Sequence, residues 1–117
     1  MGMIISTQEN PWQAPNNNPT TAYSNNKIAK AAPGVLYGLS GYNSGPAQFL
    51  QLHDSATLPA DASVPVAMIA IPAASNFSMD FGVYGMGFIK GIAICNSTTG
   101  PVKTLGAADC WLSPRYE

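Results

Sequence analysis

The single histidine, His53, is followed directly by Asp54, and a base beside a carboxylate is the raw material of general-base and nucleophilic catalysis. Both sit at what reads as the end of a strand, where successive side chains point to opposite faces. A surface or turn pair with local hydrogen bonds is therefore expected, not an oriented dyad. The carboxylates available for paired acid–base work are Glu9, Asp54, Asp61, Asp80, Asp109 and Glu117, and no spacing singles out two of them. Gly82, Gly85 and Gly87 match a phosphate-cradling loop in number only, because no lysine follows and no helix begins there. They read as points where the chain bends between two strands. Cys95 and Cys110 lack a CxxC spacing and a nearby histidine, which removes them as metal ligands. Each lies in an apolar run and is expected as a buried, reduced thiol, although their segments read as neighbouring strands that a disulfide can bridge. The expectation is a non-enzymatic chain with no catalytic residue, no metal and no cofactor.

Aromatic residues offer a different chemistry. Trp12, Trp111 and five tyrosines are enough for a sugar-stacking platform. Trp111 alternates with Cys110 and Leu112 and so faces away from them; core or interface packing is the commoner use of such a residue.

Composition narrows the partners. Hydrophobic residues make up 46% of the 117, enough for one core, and 10 prolines and 11 glycines oppose long helices. Charged residues make up only 9%, against roughly 25% in ordinary soluble domains. A surface so poor in charge is expected to be covered by partner proteins, with Asn, Ser, Thr and Gln on the remainder. The basic residues Lys27, Lys30, Lys90, Lys103 and Arg115 form no run and the net charge is −1, so no nucleic acid is expected. No apolar stretch has the length of a membrane span, and the Met3-Ile4-Ile5 start lacks the basic flank of a signal peptide. Gly2 to Ser6 fits the short myristoylation pattern, without the polybasic patch that stable anchoring needs. Asn76-Phe77-Ser78 and Asn96-Ser97-Thr98 fit the glycosylation pattern, which matters only in a secreted eukaryotic chain.

Two parts are expected along the chain. Residues 1–26 hold Pro11, Pro15, Pro19 and the run Asn16-Asn17-Asn18, with little to bury. Such a segment reads as an extended polar arm that becomes ordered on another molecule, with Pro11, Trp12, Pro15 and Tyr23 as its contacts. Residues 27–117 show short apolar runs separated by Gly, Pro and Asn turns. Strands are expected near 28–32, 35–42, 48–53, 66–71, 76–81, 87–95 and 108–113. Phe77, Met79 and Phe81 alternate with Ser78 and Asp80, which is the period of a strand with one buried face. Residues 66–71 are apolar throughout, placing them either at the centre of a sheet or under a partner. Asn43-Ser44-Gly45-Pro46 reads as a turn, with Gly45 free to take positive φ. The pattern is an all-β antiparallel sandwich or jelly roll of about seven strands.

The stretch Ala31-Ala32-Pro33-Gly34-Val35-Leu36-Tyr37-Gly38-Leu39-Ser40-Gly41-Tyr42-Asn43, with Leu50 to Asp54, Val64-Pro65-Val66, Phe81, Gly85, Phe88 and Gly91-Ile92, resembles small β-sandwich virion structural proteins of tailed bacteriophages. These are motifs of fold, and the arm lies outside them. The resemblance implies a virion location after assembly in the host cytoplasm. It further implies a capsid cement or decoration protein that binds the major capsid protein or other virion proteins as a homo-oligomer. A tail, neck or fibre subunit is the alternative, and a carbohydrate-binding module is the alternative of another class.

Overall fold

The computed structural model describes residues 16–117, and these form two antiparallel sheets packed face to face, with no helix among the described residues. Nine strands follow in order: β1 (Asn16–Asn17), β2 (Asn26–Lys30), β3 (Gly34–Asn43), β4 (Gln48–Asp54), β5 (Ala67–Ile71), β6 (Ser75–Asp80), β7 (Met86–Phe88), β8 (Ile92–Ser97) and β9 (Cys110–Tyr116). The first sheet runs β1-β9-β3-β6, with β7 continuing the β6 side of β3; the second runs β2-β8-β4-β5. This is the expected all-β sandwich.

The core lies between the two inner faces. Leu36, Leu39, Phe77, Met79 and Leu112 of the first sheet meet Leu50, Leu52, Ile71, Ile92 and Ile94 of the second, all buried. Strand β6 shows why they point inward: Phe77 and Met79 are buried while Asn76, Ser78 and Asp80 are exposed, as the period of two requires. Gly45 forms its turn without positive φ; it is small because a Cβ there would overlap the Asp109 carboxylate. Among the glycines the positive angles belong to Gly82 (77°) and Gly85 (70°), which shape the bend between β6 and β7.

Three strand expectations change. The run 87–95 is two strands in different sheets, since β7 pairs with β3 and β8 pairs with β2 and β4. The break falls at residues 89–91, where the Asp54 carboxylate accepts the N–H groups of Ile89 (3.1 Å), Lys90 (2.7 Å) and Gly91 (3.3 Å). One side chain thereby satisfies the backbone that a crossing between sheets leaves unpaired. The segment expected either at a sheet centre or under a partner, β5, is not central but an edge strand: it pairs with β4 alone among the described residues. Strand β9 runs past Pro114 to Tyr116. Leu112 turns its N–H toward Thr20 Oγ1, and Pro114, two residues on, turns its nitrogen to the same side. On that side pairing is intermittent, so the missing donor breaks no ladder bond.

Residues 16–24, in the segment expected to lie on another molecule, run along β9 of their own chain. Asn16 and Asn17 pair with Tyr116 and Arg115, Thr20 N–H bonds Leu112 O at 2.9 Å, and Ser24 and Cys110 exchange bonds of 2.8 and 3.0 Å. Asn25 then accepts the Asn96 N–H and the chain passes into β2. The segment has little to bury, but backbone groups on an open strand edge need no apolar partner.

Truncating Leu39→Ala, at a fully buried inward position, is expected to cost about 2–5 kcal/mol in denaturant unfolding. Deleting residues 1–26 should lower the melting temperature, because it removes the pairing of Asn16, Asn17, Thr20 and Ser24 with β9; thermal unfolding of the truncation against the full chain checks this.

Candidate functional site

The outer face of the first sheet carries an exposed aromatic cluster. Tyr42 on β3 stands opposite Trp111 on β9, their ring centroids 6.1 Å apart and tilted by 48°. Tyr23 stacks on Trp111 at 4.9 Å and 16°. Period two puts Trp111 outside because Cys110 and Leu112 on either side are buried, as expected. Trp111 nevertheless remains 49% exposed and Tyr23 44%. Beside the rings lies a shallow depression of about 700 Å³, lined also by Ser40, Gly41, Asn76 and Ser113. Among the described residues no charged side chain lines it.

Of the expected contact residues, Tyr23 is in this cluster, held by its own chain through the two backbone hydrogen bonds between Ser24 and Cys110. Pro11, Trp12 and Pro15 lie outside the described residues. Sequence reasoning did not bring Tyr23, Tyr42 and Trp111 together. Its available signal was that Tyr42 and Trp111 are outward positions of two expected strands, but which strands pair is a long-range matter.

The outer face of the second sheet is closed by its own loops. Gln51 Nε2 donates to the carbonyls of Thr99, Gly100 and Val102 at 2.9 to 3.1 Å, fastening residues 99–102 over β4 and β8. Lys103 is buried, and its Nζ bonds Asp61 Oδ1 at 2.6 Å, tying that loop to the one before β5. Asp61 is held below its ordinary carboxylate range by this lysine first and by the Leu105 N–H second. His53 belongs to the same layer and is buried, not a surface residue as expected. Because Gln51 Nε2 is committed to carbonyls, Gln51 Oε1 is the acceptor that faces His53 Nε2 at 3.0 Å, which places the ring proton on Nε2. Burial first, and the Lys103 charge second, push the His53 pKa below its ordinary 6.5. Asp54 meanwhile serves the 89–91 backbone, whose N–H groups hold it below the ordinary range. The adjacent base and carboxylate thus answer to different partners.

Cys95 and Cys110 are buried and unpaired, on β8 and β9, and so in different sheets and not on neighbouring strands. Burial raises both thiols to about 11, where thiolate chemistry is suppressed at neutral pH. Among the described residues no three His, Cys, Asp or Glu side chains gather as metal ligands. Asn96, in one of the two glycosylation patterns, is fully buried, whereas Asn76 is exposed. No family model, curated protein or solved structure matches the chain.

A histidine held neutral by burial favours the folded state only while the unfolded chain is also neutral. Between the ordinary 6.5 and the lower folded value the unfolded state binds more protons, so stability falls as pH drops through that interval. Asp54 and Asp61, both depressed, lose their contribution only below about pH 4. The melting temperature is therefore expected to fall between pH 7 and pH 5 in the wild type and less in His53→Gln; equal slopes would contradict this origin.

Proposed function

We propose that the chain is a non-enzymatic structural subunit of a tailed-bacteriophage particle, a capsid cement protein that binds the major capsid protein shell and stabilises it. The observation that supports this most directly is the β5 edge. From Ala62 to Met79 there is no charged residue, and only Pro65 and Pro72 bracket the strand. Its outward Met68 is 45% exposed and Val66, just before the strand, 49%, and Val64 and Val102 are exposed too. An apolar strand edge with no lysine, bulge or inward charge to protect it invites pairing with another chain. In an assembly subunit that property is an attachment surface, and it accords with a charged fraction of 9% and with the resemblance to virion proteins.

Two measurements test the reading. Purified particles should contain the chain in hundreds of copies by gel densitometry; a handful per particle would place it at the neck, tail or fibre instead, and absence would end the virion reading. Met68→Lys with Ala70→Lys should fold normally, since both positions are exposed, yet bind shells at least about tenfold more weakly, because an unpaired charge in a dry contact is costly.

A further inference from the structure

We propose that the outer face of the five-stranded sheet is a binding site for a neutral carbohydrate, a pyranose unit lying against Trp111 and Tyr42 with its hydroxyls toward Ser40, Asn76 and Ser113. The ligand class follows from what lines the depression. A pyranose has an apolar C–H face and a rim of hydroxyls, and the site offers the complement: aromatic surface bordered by uncharged donors and acceptors. Phosphate or carboxylate ligands need a cation, and no Lys, Arg or His lines the depression. A cationic ligand would call for a carboxylate, and none lines it among the described residues.

The rim is available. Ser40 and Asn76 make no side-chain hydrogen bond among the described residues, while Ser113 Oγ is 3.1 Å from Asn17 Oδ1 and keeps further capacity. Ser40 and Ser113 are direct cross-strand partners, as are Tyr42 and Trp111, so both pairs share one outward face. Asn76 stands opposite Tyr42 on the other side. Polar and aromatic groups therefore form one continuous patch across β9, β3 and β6.

The site is also pre-organised. Tyr23 stacks on Trp111 and is fixed by the paired backbone bonds of Ser24 with Cys110, so the indole is braced before any ligand arrives. Ordering a free tryptophan would otherwise subtract from affinity. A volume of about 700 Å³ lies within the range of about 300–1,000 Å³ usual for small-ligand sites. The face belongs to the sheet opposite β5, so sugar binding here and protein docking at β5 use different surfaces.

The test uses the full chain carrying Trp12→Phe, which leaves Trp111 as its sole tryptophan. Titration with maltotriose, cellotriose and chitotriose, and a printed array of neutral glycans, should show saturable change in Trp111 fluorescence and retention of at least one neutral glycan. Trp111→Ala in the otherwise natural chain should weaken array binding at least tenfold, Trp111→Phe should restore part of it, and Asn76→Ala should weaken it severalfold, all with native circular dichroism. Binding of no neutral glycan, binding of acidic glycans only, or full retention by Trp111→Ala would each overturn the proposal. Loss of shell binding by Trp111→Ala with no glycan bound by the wild type would also overturn it, by making the face a protein contact. Shell binding by the Met68→Lys/Ala70→Lys chain is scored separately, so failure of the assembly reading is distinguished from failure of this one.

Discussion

The apolar seam between the two sheets is the constraint on which the rest of the molecule depends. Leu39, Leu112, Leu50, Leu52, Ile92 and Ile94 are essentially removed from water, and each fixes the facing of its strand. A slip of one residue in β9 would bury Trp111 and expose Leu112, so the seam holds the aromatic cluster outside as firmly as it holds the leucines inside. The exposed site is thus a consequence of core packing. It needs no interaction of its own to choose its side, only Tyr23 to brace it.

The two outer faces are treated in opposite ways. Over the four-stranded sheet the chain folds back on itself, with Gln51 binding three carbonyls and Lys103 reaching Asp61. This layer makes β8 buried on both faces and turns His53 into an interior residue. Lys103 is deeply buried but its partner Asp61 is exposed, so the pair keeps half of its hydration and avoids the full desolvation cost of a buried ion pair. Over the five-stranded sheet nothing comparable is laid down among the described residues, and Tyr42, Trp111, Ser40 and Asn76 line an open depression.

Low charge unites the functional readings. With 9% charged residues the surface relies on amides and hydroxyls for hydration, and it leaves one strand edge apolar and one face aromatic. In the proposed function, the first would serve attachment to a particle, and in the further proposal the opposite sheet would meet uncharged groups such as sugars. Buried thiols raised to about 11 and a histidine held neutral are consistent with an interior built for packing.

The sequence by itself determined the period of two in β6, the inward set Phe77 and Met79, the outward direction of Trp111, and the uncharged run from Ala62 to Met79. These are local properties, because alternation along one strand follows from backbone geometry alone. Tertiary structure decided that β5 is an edge, that residues 87–95 divide between two sheets at Asp54, that residues 16–24 lie along β9, and that Tyr23 meets Trp111. Each of those depends on residues far apart in the chain, and the strand pairings among them are made by backbone hydrogen bonds, which every residue but proline can donate and accept. Such bonds leave no mark in side-chain type, so the pairing of strands, and with it the composition of the exposed face, becomes visible only when the chain has folded.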